Sequence, residues 1–306
     1  MMEKNKRKRI SKYIQVFLTG LCFMILLAVL VFRRPRGLTM VFLDVGQGDG
    51  IYLETETGQH LFLDGGSSSK TKVGENTILP FLKSQGVNHM DYWLVSHPDQ
   101  DHINGMAELL EEGYRIDHLI LPGISFEDEA YQELEELAGF YQTEISYMNQ
   151  KDTLTDGKLC LTCLHPNRNF WTDTANDYSM VLYLEYGYFH ALFTGDIGEE
   201  QEELVVKAWE ENRSDRKDCS ETRLTVLKTA HHGSKYATSE KFLRVFRPQY
   251  AVISCGKENS YGHPAGEVLD RLQSCGCKIY ETMEDGAVTF WTNGKDITLD
   301  VYNRFQ

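Results

Sequence analysis

Ser96-His97-Pro98-Asp99-Gln100-Asp101-His102 is the stretch that decides the fold. It reads H-x-D-x-D-H directly after an apolar strand pattern, Asp91-Tyr92-Trp93-Leu94-Val95, and just before an apolar helical pattern from Ile103. Two imidazoles and two carboxylates within six residues, on a turn at a strand's C-terminal end, can converge on one or two cations. Imidazole together with carboxylate suits a divalent transition metal, and added carboxylate shifts the preference toward harder ions. A solvated acidic turn is the bland alternative, because Asp and His are common in loops. Matching companion segments further along the chain decide against it.

Asp64, in Leu63-Asp64-Gly65-Gly66, ends a strand, and the glycines beside it let the backbone turn tightly. Thr194-Gly195-Asp196 ends the Phe189–Phe193 strand, and Asp196 has two carboxylate oxygens with which to bridge a metal pair. His231-His232-Gly233-Ser234 ends another strand; adjacent histidines point in different directions, so one of the two is expected to ligate. Tyr261-Gly262-His263-Pro264 precedes a helix, and His263 can be a ligand, a general acid or a phosphate contact. Asn176-Asp177-Tyr178-Ser179 lies just before a strand, where a cap or turn competes with a substrate-binding role for Asn176 and Ser179. Ser234 and Lys235 are expected to contact substrate, although a polar helix-entry loop explains them nearly as well. The other histidines, His60, His89, His118, His165 and His190, stand alone and read as ordinary surface or core residues.

The chain has 306 residues, of which 42% are hydrophobic and 25% charged, as in ordinary globular proteins. Tyr13 to Phe32 is an almost uncharged apolar run of the length a helix needs to cross a hydrocarbon core. Lys4, Lys6, Arg7, Lys8, Arg9 and Lys12 precede it, and Arg33, Arg34 and Arg36 follow. That asymmetry favours a cytoplasmic N-terminus and an extracytoplasmic domain. No small-x-small site follows the run, which argues against a cleaved signal peptide. The expected organisation is a basic cytoplasmic tail over 1–12, a single transmembrane anchor over 13–32, a linker over 33–37 and a catalytic domain over 38–306.

Residues 1–36 hold nine basic residues and one acidic, so the whole-chain charge of −14 leaves −22 for residues 37–306. An acidic domain repels polyanions at long range, and nonspecific DNA binders carry a basic footprint. This counts against a broad, avid DNA groove and leaves room for a local site taking one phosphodiester. Of the seven cysteines, Cys160 and Cys163 share a strand-like stretch without a second matching pair, which argues against a zinc ribbon. A pair of buried or bridged strand cysteines is expected there.

Strand patterns at 38–45, 51–54 and 60–63 come first, as hairpins. Strands at 91–95, 116–121, 159–164, 180–185, 189–193, 224–227 and 250–254 then alternate with helices at 79–84 (capped by Asn76), 103–112, 125–141, 198–211, 239–246 and 264–273. β structure returns from Lys278 to about Tyr302. The order predicts a one-domain α/β sandwich with mixed sheets and with its site at strand C-termini.

The order Asp-Gly-Gly, H-x-D-x-D-H, Thr-Gly-Asp, His-His-Gly-Ser, Tyr-Gly-His-Pro resembles the metallo-β-lactamase superfamily. More narrowly it is similar to the extracytoplasmic hydrolase domain of ComEC-type DNA-uptake proteins, whose opening segment resembles Leu43-Asp44-Val45-Gly46-Gln47-Gly48-Asp49. The resemblance spans roughly residues 38–303 and implies an αββα sandwich holding two divalent metal ions, Zn²⁺ or Mn²⁺. Two departures from the superfamily's commonest pattern are shared by the ComEC-like group. Position 99 is Asp rather than His, and the Asn176–Ser179 segment stands where a histidine is usual. Both make the first metal site oxygen-rich, which favours Mn²⁺.

The expected ligands are His97, Asp99 and Asp196 for one ion, and Asp101, His102, Asp196 and one of His231/His232 for the other. Asp64, Asp101 and His263 carry the catalytic expectation, with Asp64 orienting a ligand or the water. The expected activity is metal-dependent hydrolysis outside the cytoplasmic membrane, on a phosphodiester that includes single-stranded DNA. The alternative substrate is a small or cell-wall-linked ester: a phosphodiester, lactone or thioester. A non-catalytic binding protein is a third reading. No protein partner is implied.

Overall fold

Strands that are buried on both faces read as continuous apolar runs, and the first strand shows why. Leu38, Met40 and Phe42 point into the layer between two sheets, whereas Val41 points the other way, under helices. In the computed structural model the backbone is described for residues 2–32, 37–123, 129–214, 223–257 and 259–302. The chain divides into two compact units, residues 1–36 and 37–306.

The first unit contains helix α1 (Met2–Phe32), whose side chains are described between Lys12 and Leu27 and are exposed there. Among the described residues no helix is long and apolar enough to cross a membrane. The anchor expected over residues 13–32 is therefore not shown.

The second unit holds two sheets. The first runs β1 (Leu38–Phe42), β2 (Gly50–Glu54), β3 (His60–Asp64), β4 (His89–Leu94), β5 (Arg115–Pro122) and β6 (Glu144–Met148), flanked on the β1 side by β14 (Ala287–Thr292) and β15 (Ile297–Tyr302). The second runs from β7 (Thr153–Asp156) through β8 (Leu159–His165), β9 (Val181–Tyr186), β10 (Phe189–Phe193), β11 (Val226–Lys228) and β12 (Tyr250–Ile253) to β13 (Lys278–Glu281). Hairpin neighbours pair antiparallel, and β3–β4–β5–β6 and β10–β11–β12–β13 pair parallel. Leu53, Leu61 and Leu94 from one sheet meet Leu161, Leu184 and Phe193 from the other. Each such side chain contributes roughly 1.5–3 kcal/mol on burial. Helices α2 (Leu79–Ser84), α3 (Gln100–Glu111) and α4 (Glu129–Phe140) cover the first sheet; α5 (Glu199–Ser214), α6 (Glu240–Phe246) and α7 (Gly266–Ser274) cover the second. This is the mixed α/β sandwich expected from the element order.

Several expectations change in detail. Asn76 lies inside a wide helical turn (Gly74–Ile78) that leads into α2, and the start of α2 has no side-chain cap. The strands β6 and β7 were not expected. The predicted helix opening at Ser125–Asp128 and most of the polar excursion at 212–221 lie outside the described residues. Cys160 and Cys163 are free thiols on one strand, not a bridge.

The parallel strands place four loops at one end of the sandwich. Those after β3 and β4 belong to one sheet, and those after β10 and β11 to the other. Trp93 anchors the first pair, stacking on Phe62 at 4.4 Å and donating its indole N–H to the Asp64 carbonyl at 2.5 Å. The Gly-rich turn is stitched to them: the Asp49 amide donates to the Asp101 carbonyl at 3.1 Å, and the Gly66 amide to the Asp49 carbonyl at 3.0 Å. A Cβ on Gly66 would land on the backbone of Gln100, Asp101 and His102. Gly66→Ala should therefore push the H-x-D-x-D-H turn out of place and weaken the divalent-metal binding expected of that turn at least about tenfold, as read by calorimetric titration.

Candidate metal centre

His97 sits in the turn after β4, and Asp101 and His102 in the first turn of α3, so one loop delivers three donors. Asp196 follows β10, and His232 follows β11 in a tight turn where both His231 and His232 have positive φ (49° and 53°). His97, His102, Asp196 and His232 are all buried.

Each buried histidine is held by Nδ1 and leaves Nε2 free. His97 Nδ1 meets the Ser96 hydroxyl at 3.0 Å and the Ser179 hydroxyl at 3.4 Å. His102 Nδ1 lies 3.1 Å from Asp64 Oδ2 and 3.3 Å from Ser96 Oγ. His232 Nδ1 donates to the Ser254 carbonyl at 2.8 Å, which fixes its tautomer. Nε2 of all three, together with Asp196 Oδ1, is buried without a hydrogen-bond partner.

Buried polar atoms go unpartnered rarely, and here they converge. His97, His102 and Asp196 offer donor atoms within 4.8 Å of one another, as do Asp101, His102 and His232. Asp196 Oδ2 is 3.2 Å from His232 Nε2, and Asp196 Oδ1 is 3.4 Å from His102 Nε2, so this carboxylate lies between the two groups. Histidines steered through Nδ1 by carboxylate, carbonyl or hydroxyl are what divalent metals require. The donor set fits a pair of such ions.

Two residues that the sequence reading did not single out complete the centre. Asp49 is buried, with Oδ1 3.7 Å from His232 Nδ1 and Oδ2 3.8 Å from His102 Nδ1, so it backs both imidazoles. Lys228, at the end of β11, is buried and pairs with Asp49 Oδ2; its Nζ also lies 3.6 Å from Asp196 Oδ1. Their signals were an Asp inside a Gly-rich turn and a Lys ending an apolar strand.

Other expected residues sit further out. Asp64 grips the metal turn, accepting the Ser96 amide at 2.7 Å and the Ser96 hydroxyl at 3.0 Å. Asp99 is half exposed at the rim, with Oδ2 3.6 Å from His97 Nε2. Ser179 joins the centre, accepting the Asp196 amide at 3.0 Å, while Asn176 acts through its carbonyl, which accepts the Ser179 amide. His231 is partly exposed, its Nε2 3.8 Å from Asp196 Oδ2, which leaves His232 as the inner histidine of the pair. His263 meets the His231 ring at 5.8 Å and belongs to none of the donor groups among the described residues. Ser234 is buried and accepts the Tyr236 amide at 3.5 Å, Lys235 Nζ lies 5.0 Å from the Tyr236 ring, and neither is among the donor groups of the described residues.

Charge follows from this packing. Burial alone would lower the His232 pKa, but Asp196 and Asp49 outweigh it and push it up to about 9. His102 is raised well above its ordinary value in the same way, by Asp196 and Asp64 against burial. Burial would raise Asp196, yet His232 and His102 press it well below the usual carboxylate range. Without metal, then, protons on these imidazoles balance the carboxylates. A histidine raised on folding adds stability that is complete below about 6.5 and lost as pH rises through about 9. The chelated protein should therefore lose denaturation midpoint across that window. Mn²⁺ affinity should rise across it, because metal and proton compete for the same Nε2. A flat midpoint from pH 6.5 to 9 contradicts this.

No family model matches the chain. ComE operon protein 3 of Bacillus subtilis (strain 168) is 30% identical over 275 residues, covering 85% of this chain and 34% of that protein. Recombination protein 2 of Haemophilus influenzae is 30% identical over 247 residues, covering 80% of this chain and 28% of that protein. The chain thus spans about a third of the length of these curated relatives. Among solved structures, the metallo-β-lactamase fold protein YhfI from Bacillus subtilis superposes with a TM-score of 0.53 at 10% identity, covering 86% of this chain and 100% of that one. That likeness shows the fold, and the sequence matches show the kinship. The chain has the metallo-β-lactamase fold and is related to the ComEC-type competence proteins.

Proposed function

We propose that the protein is a metal-dependent phosphodiesterase of ComEC-like type. The observation that carries this reading is the convergence of three orphaned, buried Nε2 atoms on Asp196. His97, Asp99 and Asp196 would hold one divalent ion, and Asp101, His102, Asp196 and His232 the other. When bound, such a pair lowers the pKa of a water toward ~7 and stabilises charge on the attacked centre and leaving oxygen. Carboxylate-rich coordination favours Mn²⁺ over Zn²⁺.

The chain's own residues do the rest. Asp64 orients His102 and the Ser254 carbonyl orients His232 from behind, with the Asp49 charge beyond them, and Ser179 holds Asp196 and His97 in register. Burial, then His231 and His232, hold His263 down at about 4, so it is neutral at neutral pH. A neutral imidazole there suits binding a phosphate oxygen better than protonating a leaving group. The strongly acidic domain supports a second reading, hydrolysis of a small or cell-wall-linked ester. The apolar run at 13–32 and its basic flanks support an anchor with the catalytic unit outside the membrane. A reporter fused after Gln306 that proved cytoplasmic would overturn that placement.

The test of the activity is turnover by the purified chain, with Mn²⁺ or Zn²⁺, of bis-p-nitrophenyl phosphate and of labelled single-stranded DNA. Turnover of both supports the nuclease, and turnover of the small ester alone supports the second reading. If neither turns over with metal bound, the phosphodiesterase reading is wrong.

A further inference from the structure

Two loops beside the metal centre are tied to each other. The Ala265 amide donates to the Gly233 carbonyl at 2.9 Å, and a Cβ on Gly233 would press into Pro264. On one loop Tyr261 is 65% exposed, yet its ring stacks on His263 with centroids 5.6 Å apart and planes 25° apart. His263 meets His231 edge-on at 5.8 Å, and His231 meets His232 edge-on at 6.3 Å. Rings therefore run without a break from His232 at the centre to solvent at Tyr261.

This ladder is rigid at its middle rung. Asn259 accepts the His263 amide at 2.9 Å and donates to the His263 carbonyl at 2.6 Å. Tyr261 leans on His263 and is otherwise largely exposed. On the neighbouring loop Tyr236 is 70% exposed, with Lys235 Nζ 5.0 Å from its ring centroid. An aromatic face held open beside a phosphodiester site offers what a nucleobase needs, because every base has a π-face.

We propose that Tyr261, seated on His263, is a stacking shelf for an unpaired nucleobase of a single-stranded substrate. The proposal rests on the phosphodiesterase reading above. It explains how a domain of charge −22 holds a polyanion: stacking replaces the phosphate contacts that a basic groove would make. A duplex keeps its bases stacked internally and presents no free face, and a lactone or thioester carries no ring to lay on the shelf.

The experiment is fluorescence-anisotropy binding of the full chain to a labelled oligothymidylate and to an abasic oligomer of equal length, with Ca²⁺ as the added cation. The wild type should prefer the thymidylate oligomer. Tyr261→Ala should weaken that binding about tenfold or more and leave abasic binding unchanged. Tyr261→Trp should restore the preference, and the salt dependence should be shallow. Equal binding of both oligomers by the wild type, binding of neither, or an unaltered Tyr261→Ala variant would each overturn the shelf. Hydrolysis of bis-p-nitrophenyl phosphate without base preference would defeat the shelf and leave the phosphodiesterase standing. Base-dependent binding without turnover would do the reverse.

Discussion

Replacing Asp101 and His232 together by alanine is expected to abolish metal-dependent turnover while leaving the fold in place. Both side chains face a shared space with His102, Asp101 Oδ2 lying 3.5 Å from His232 Nε2. In the metal-free chain each faces the other's charge: burial would raise Asp101, but the neighbouring His232 and His102 lower it to about 2. Removing both takes out this pair together, but it also takes the His232 counter-charge from Asp196 and Asp49, so the chelated variant should fold with a lowered denaturation midpoint. The loss falls on the metal. Lewis-acid stabilisation is worth several kcal/mol, and at about 1.4 kcal/mol per decade turnover should fall by roughly 1000-fold or more. Bound Mn²⁺, counted after dialysis, should fall with it. Retained stoichiometry with unchanged turnover would remove these two residues from the centre.

Lys228→Met should have the largest effect on stability. Lys228 is buried against Asp49 and donates to the Gly195 carbonyl at 3.3 Å. Methionine keeps most of the volume and removes the charge, leaving the Asp49 carboxylate buried beside Asp196 and Asp64. Breaking a buried pair from one side costs about 3–5 kcal/mol, most of it the uncompensated partner. Denaturant unfolding of the metal-free variant should show that loss, and adding Asp49→Asn should recover part of it. Mn²⁺ should also narrow the gap, because the ions supply the missing positive charge. A Lys228→Met protein within about 1 kcal/mol of the wild type would mean that the pair does not matter.

The parts legible in the sequence are those where polar residues interrupt an apolar run. Asp64, His97–His102, Asp196 and His231–His232 each end a strand, and strand ends are where α/β sheets assemble sites. The two-sheet sandwich was legible for the same reason, since β1, β9 and β10 are buried along nearly their whole length and are mostly apolar. What stayed hidden depends on contacts between distant segments. Asp49 in its Gly-rich turn looks like any turn aspartate until His102 and His232 are folded against it. Lys228 looks like a solvated strand end until Asp49 arrives from nearly two hundred residues away. The choice between His231 and His232 turns on the Ser254 carbonyl, which no local pattern could reveal. The strands β6 and β7 were missed because Glu-Ile-Ser-Tyr-Met and Thr-Leu-Thr-Asp are half exposed and carry no apolar run.

The central claim is that the orphaned nitrogens form a two-metal centre. The most direct test is anomalous diffraction from crystals of the protein grown with Mn²⁺. Two peaks are expected, one touching His97 Nε2 and the other touching His232 Nε2, with Asp196 reaching both. Diffraction showing Mn²⁺ elsewhere on the protein, with no peak at these nitrogens, would contradict it.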